Sequence, residues 1–142
     1  MKISTRGRYA VRVLLDMAEN FKGDYIPLKD IVKRQEVSQK YLEGIMLLLS
    51  KSDIVEGVHG KGGGYRLKKP PEDITIGEIL RATEGSLAPV NCLEENADPC
   101  ERAGSCRTLS LWREFYGLVN CFFDGKTLKD LMDSPDGGEY VI

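Results

Sequence analysis

Three cysteines, Cys92, Cys100 and Cys106, fall within "NCLEENADPCERAGSC", a stretch with almost nothing else apolar. Core packing therefore gives no reason for them. The spacing C-x7-C-x5-C matches neither the paired C-x-x-C of a zinc ribbon nor a thioredoxin-type pair. Clustered thiols in a reducing compartment serve as metal ligands or redox groups rather than disulfides. A thiolate-rich loop suits an iron–sulfur cluster and zinc alike. Cys106 is expected to abut a helix N-terminus with Arg107 beside it, and both would favour its thiolate. Cys121 lies fifteen residues further along the same expected helix, roughly 22 Å away, too far to join the other three.

A second unusual stretch is "VHGKGGGYRL", residues 58–67, with four glycines and three basic side chains. It fits neither nucleotide-binding glycine pattern. Gly57 and Gly60 enclose two residues where the Walker pattern needs four, and Lys61 is followed by Gly62. Tyr65 stands where the dinucleotide fingerprint needs its third glycine. A hairpin tip accounts for the glycines, and His59, Lys61 and Arg66 make that tip positive. His59 is the chain's one histidine, and no acid–base constellation surrounds it, so no enzyme is expected.

The elements that must position these groups read mostly as helices. Thr5 to Asn20 forms the first, capped by Thr5, with Val11, Leu14, Leu15 and Ala18 at helical spacing. "PLKDIVKRQEV" is a short second helix with Leu28, Ile31 and Val32 inward. Ser38 opens a third, "SQKYLEGIMLLLSKSD". There Leu42, Ile45, Met46 and Leu49 make a core stripe opposite Lys40, Glu43, Gly44, Leu47 and Lys51. Strand-like "IVEGV" and "YRLKK" flank the glycine-rich tip. Three helices followed by a hairpin is the order of a winged helix-turn-helix.

"TIGEILRATEG", residues 75–85, is a fourth helix with Thr75 as cap and Gly85 as stop. The longest helical pattern runs from Arg107 to Asp124. Leu109, Trp112, Tyr116, Val119 and Phe123 recur at three–four spacing, and Leu111, Phe115, Leu118 and Phe122 form a second stripe beside them. So wide an apolar arc can pack on its own subunit and still leave a seam for a second copy. A homodimer is expected, with Leu109, Trp112, Phe115, Tyr116, Val119 and Phe123 at its interface.

The domain reading is a winged-helix unit over 1–85, a cysteine loop over 86–106, a long helix plus short terminal helix over 107–133, and a tail over 134–142. The fold class is mostly α with a small β-hairpin. Charge divides along the same lines. Residues 1–69 hold fourteen Lys/Arg against eight Asp/Glu, and residues 70–142 hold six against fourteen. The overall net charge of −2 conceals a basic front half suited to a polyanion such as double-stranded DNA. Candidate DNA contacts are Lys2, Arg6, Ser38, Gln39, Lys40, Tyr41, Glu43, His59, Lys61 and Arg66. No stretch reaches a membrane span, the opening "MKISTRGRYAV" lacks a signal peptide's apolar core, and a cytoplasmic location is expected.

"MKISTRGRYAV", "VSQKYLEGIM", "VHGKGGGYRL", "TIGEILRATEG", the three-cysteine loop and "LWREF…TLKDLM" together resemble the IscR/NsrR/CymR family of bacterial winged-helix transcription regulators. The resemblance is greatest to the iron–sulfur regulators of IscR type. It implies a homodimeric repressor or activator on a dyad-related operator, with Cys92, Cys100 and Cys106 holding an iron–sulfur cluster. A two-iron cluster is favoured over a four-iron one. Two-iron members usually carry a His three residues beyond the last cysteine, where this chain has Leu109. The nitric-oxide-sensing branch uses an Asp where this chain has Arg8, and the wing position of His59 is usually Arg. The fourth ligand is unassigned among Glu94, Glu95, Asp98, Glu101, a partner-chain residue and solvent. Zinc or bare-thiol sensing, and regulation by a protein partner without a cluster, are the alternatives.

Overall fold

A computed structural model describes residues 1–134. The tail expected from 134 onward therefore lies, beyond Ser134, outside the described residues. The elements run α1 (Thr5–Glu19), α2 (Leu28–Gln35), α3 (Gln39–Lys51), β1 (Val55–Val58), β2 (Gly64–Leu67), α4 (Ile76–Glu84), α5 (Leu109–Asp124) and α6 (Leu128–Met132). Short 3-10 turns at Pro71–Asp73 and Asn91–Leu93 punctuate the connections. This is the expected arrangement, a mostly helical winged helix with one two-stranded antiparallel hairpin.

One apolar cluster holds these elements together. The stripe of α3 expected inward, Leu42, Ile45, Met46 and Leu49, is fully buried. It joins Ile31 of α2, Ile54 and Val55 at the start of the wing, Ile79 and Leu80 of α4, and Leu128 of α6. On α1 the buried arc is Ala10, Val13, Leu14 and Met17, while Val11 packs only partly. The expected stripe of Val11, Leu14, Leu15 and Ala18 is thus rotated in the structure. α1 is apolar around much of its girth, and packing on α4 and α6 selects the face.

Caps correct the element ends. Ser4, not Thr5, caps α1, its hydroxyl accepting the Gly7 amide at 3.0 Å. The Thr5 hydroxyl accepts from the Arg8 guanidinium instead, at 3.1 Å. Ser38, Thr75 and Thr127 cap α3, α4 and α6 through their hydroxyls. α5 begins at Leu109 rather than Arg107, and its cap residue Thr108 makes no capping bond with its side chain. The chain between α1 and α2 braces the wing: Ile26 and Tyr65 exchange backbone hydrogen bonds of 2.8 and 2.9 Å. Gly64, at φ 154°, permits that approach, because a Cβ there would collide with the Ile26 carbonyl.

A buried charge ties α1 to the end of α2. Asp16 lies within the core face of α1, its side chain only 4% exposed. It accepts from Arg34 Nε at 3.1 and 3.0 Å, from Arg34 Nη2 at 2.8 Å, and from Gln35 Nε2 at 2.9 Å. Both carboxylate oxygens are thereby satisfied by the last turn of α2, and a buried carboxylate needs such partners. Asp16→Ala is expected to lower unfolding free energy by about 2–3 kcal/mol, at or just below the roughly 3–5 kcal/mol typical of a broken buried pair, because the half-exposed Arg34 can rehydrate. Urea denaturation of the variant checks this.

Candidate nucleic-acid interface and cysteine loop

Burying one arc of α3 displays the other. Gln39, Lys40, Glu43, Gly44 and Leu47 are exposed, as their spacing predicts. Glu43 is held by Gln39, whose side-chain amide donates to its Oε1 at 3.0 Å, one helical turn away. Tyr41 is half-buried: its ring meets Tyr9 edge-on at 5.9 Å, and Arg12 stacks on the far ring at 4.6 Å. That residue, a candidate DNA contact, therefore also fastens α3 to α1. A groove lined by Arg6, Ser38, Lys40, Tyr41, Gly44 and Leu48 separates the start of α1 from α3. Arg6 is anchored in it, its Nη2 donating to the Thr83 carbonyl at 2.9 Å. Lys2 is exposed at the N-terminal end.

The wing pairs Val55 with Leu67, Glu56 with Arg66, Gly57 with Tyr65 and Val58 with Gly64. A turn closed by the Gly63 amide on the Gly60 carbonyl, at 2.9 Å, forms the tip. Gly60 and Gly62 adopt φ 95° and 79°, which the turn demands and glycine supplies. His59 and Lys61 project from this tip, exposed. Arg66 is placed differently from His59 and Lys61. Its Nε donates to Glu56 Oε1 at 2.6 Å, and its guanidinium lies 4.5 Å from the Tyr25 ring centre. The Glu56 hydrogen bond holds its proton more firmly than usual. Arg66 is thus engaged at the base of the wing as the cross-strand partner of Glu56, not presented as a free cation.

Cys92, Cys100 and Cys106 are free and exposed on the irregular segment between α4 and α5, and Cys121 is free and exposed on α5. The segment is a string of single turns, with Ala97 bonded to Glu94, Ala103 to Cys100 and Ser105 to Arg102. Among the described residues no three His, Cys, Asp or Glu side chains converge into a metal-holding group. Sequence proximity thus places the three thiols on one loop without gathering them.

Cys106 is nonetheless chemically distinct. Its Sγ lies 3.4 Å from the Thr108 hydroxyl. That hydroxyl, the Thr108 amide, the Leu109 amide and the Arg102 cation push the thiol below its ordinary range. The helix start contributes as expected, but the neighbouring cation is Arg102, not Arg107. Turns from Cys100 to Ser105 fold Arg102 back, which linear adjacency could not reveal. Thr108 was the other residue missed. A hydroxyl residue just before an apolar run signals a helix cap, and here its side chain contacts the sulfur.

The apolar arc of α5 divides. Tyr116, Val119 and Phe123 are half-buried and pack in part against the chain's own core. Leu109 is partly buried. Leu111, Trp112, Phe115, Leu118 and Phe122 remain exposed, Leu118 at 65% and Phe122 at 59%. Arg81 of α4 fixes the rotation, gripping Asp124 at 2.7 and 3.0 Å and Asn120 at 2.8 Å. No helix among the described residues is long and apolar enough to cross a membrane.

Comparison with known proteins accords with this architecture. A family model described as "Rrf2: Iron-dependent Transcriptional regulator" matches residues 3–134. The chain is 37% identical over 132 residues to the HTH-type transcriptional regulator IscR of Aliivibrio salmonicida, covering 93% of this chain and 77% of that protein. Among solved structures it is similar to CymR, the global cysteine regulator of B. subtilis, with TM-score 0.74, 32% identity, and 96% and 99% of the two chains covered. T. potens IscR superposes with TM-score 0.72 at 31% identity, covering 98% and 92%. With its winged helix, its displayed α3 face and a family match over nearly its whole length, the chain belongs to the Rrf2 family of DNA-binding transcriptional regulators, not to an enzyme family.

Proposed function

We propose that the chain works in the cytoplasm as a homodimeric, IscR-like regulator whose operator affinity depends on an iron–sulfur cluster held by Cys92, Cys100 and Cys106. The observation carrying the DNA part is the pairing of a displayed α3 face with an exposed wing tip. Lys40 and Lys61 enter no ion pair among the described residues, whereas Arg34, Arg66, Lys68 and Lys69 are paired. Lys2, Lys40 and Lys61 are suited to phosphates, and His59 to the groove beside the wing. Glu43, aligned by Gln39, accepts from a cytosine N4 amine in the major groove. Ser38 and Gln39 flank it at the helix start.

For the cluster, the donor chemistry fits. Three thiols share one exposed loop, and Cys106 is already biased toward thiolate, the form that binds iron. A bound cluster would supply a redox-sensitive, iron-dependent cross-link of the loop. Leu109 has no donor atom, so the fourth ligand comes from elsewhere. Zinc or bare-thiol sensing is the second reading: the same three thiols suit zinc, and all of them are free and exposed, as a bare-thiol sensor requires. The exposed stripe of α5, Leu111, Phe115, Leu118 and Phe122, recurs at four–three–four spacing, the period of a helix–helix seam between copies.

Three outcomes follow from this reading. Glu43→Ala should relax base preference at one position per half-site, by about 1–3 kcal/mol, while non-specific binding persists; site selection on random duplexes measures it, and an unchanged preference would refute the base contact. Leu118→Glu should weaken self-association by about tenfold or more, since it places a charge in an apolar seam; sedimentation equilibrium decides. Anaerobically purified protein should carry iron and acid-labile sulfide with a visible absorbance band. Replacing Cys92, Cys100 and Cys106 together with Ser should abolish all three signals, and Cys121→Ser none. Stoichiometric zinc without sulfide would select the second reading.

A further inference from the structure

Glu84 is badly placed for its own helix. It is the last residue of α4, where the helix dipole disfavours a carboxylate. Its partners lie eighty positions away in sequence. Glu84 Oε1 accepts from the Ser4 backbone amide at 3.0 Å and from the Ser4 hydroxyl at 2.5 Å. The same hydroxyl accepts from the Gly7 amide as the cap of α1. A carboxylate is favourable there, because it faces the positive end of α1. Gly7 is buried, and a Cβ on it would collide with the Glu84 carboxylate, so the fit is close. One residue earlier, the Thr83 carbonyl accepts from Arg6, which satisfies an end carbonyl of α4 with a cation.

Two consecutive residues of α4 therefore grip the first turn of α1 through both its cap and its arginine. Arg6 in turn lines the groove that α3 shares, beside Ser38, Lys40 and Tyr41. We propose that Glu84 is a positioning residue for operator binding: it holds the start of α1 so that Arg6 and Lys2 face the phosphates flanking α3. This rests on reading the α3 face as the DNA-binding face. Glu84 itself touches no DNA in this proposal.

A carboxylate near DNA makes two opposite expectations possible. If Glu84 only adds negative charge, removing it should tighten binding. If it positions cations, removing it should weaken binding and reduce the number of phosphates neutralised. Fluorescence anisotropy of the full chain on a mixed-sequence duplex, across a salt series, separates them. Glu84→Ala is expected to bind about tenfold more weakly, with the log–log salt slope smaller by about one. Glu84→Gln keeps an acceptor oxygen for Ser4 and should stay within about twofold of the unmodified protein with an unchanged slope. Arg6→Ala should reproduce the slope change, and Arg6→Ala with Glu84→Ala together should lose little more than either alone. Ser4→Ala, a milder change should Glu84→Ala fold poorly, should weaken binding in the same sense. Tighter or equal binding by Glu84→Ala and Ser4→Ala with unchanged slope would overturn the proposal. Unmodified protein without salt-dependent duplex binding would instead overturn the reading of the face itself.

Discussion

The burial of α4 is the constraint on which the other placements depend. This helix of nine residues packs against α1, α3 and α5. Ile76, Gly77, Ile79, Leu80 and Thr83 are all buried. A helix packed on three sides has little polar surface left, so its few polar groups must reach neighbouring elements. Arg81 reaches Asp124 and Asn120 of α5, Glu84 reaches Ser4 of α1, and the Thr83 hydroxyl returns to the Ile79 and Leu80 carbonyls. Gly77 matters for the same reason, since a Cβ there would collide with the Asp124 carboxylate that Arg81 grips. Shifting α4 would therefore move the N-terminus of α1, the back of α3 and the long helix together.

What the sequence made legible follows from range. Caps and periodicity are local, so Ser38, Thr75, Gly85 and the buried arc of α3 could be read directly. The wing was legible because glycine and turn chemistry are local too. Family likeness over the whole chain supplied the rest of the architecture. Contacts across the fold were not legible. Nothing near Ser4 in the sequence points to Glu84, and nothing near Cys106 shows that Arg102 rather than Arg107 is its cation. The arc of α5 showed two apolar stripes, but periodicity cannot say which stripe the body of the chain will cover. Arg81 and Asp124, 43 positions apart, settle it by fixing how the helix is rotated.

Charge shows the same separation between composition and placement. The basic front half holds six more cations than anions, yet several of its cations are held internally. Asp16 takes Arg34, Glu56 takes Arg66, Asp53 takes Lys68, and Glu78 of the back half takes Lys69. These pairs brace α2, the wing and the strand exit. Lys40 on the α3 face and Lys61 at the wing tip enter no ion pair among the described residues. Arg66 illustrates the distinction: counted as wing charge it favours DNA, but bound to Glu56 and Tyr25 it stiffens the hairpin that carries His59 and Lys61. A stiff wing presents its tip at lower entropic cost than a loose one.

The cysteine loop is tied at both ends to elements with other duties. It leaves α4 immediately after Glu84, which grips α1, and it enters α5 through Cys106, whose sulfur touches the cap residue Thr108. Under the proposed function, drawing Cys92, Cys100 and Cys106 around a cluster would act on both ends at once. At the α5 end, Thr108 would exchange one sulfur contact for a fixed helix start, which alters the seam between copies. At the α4 end, tension on Gly85 would act on Glu84 and so on the first turn of α1. The energies are commensurate. A pair of charge-assisted hydrogen bonds like those of Ser4 to Glu84 is worth about 1.5–3 kcal/mol each, and typical coupling between two sites is about 1–3 kcal/mol. Under that function, loosening one such contact would match the size of a typical coupling without unfolding or rearranging the core that α4 organises.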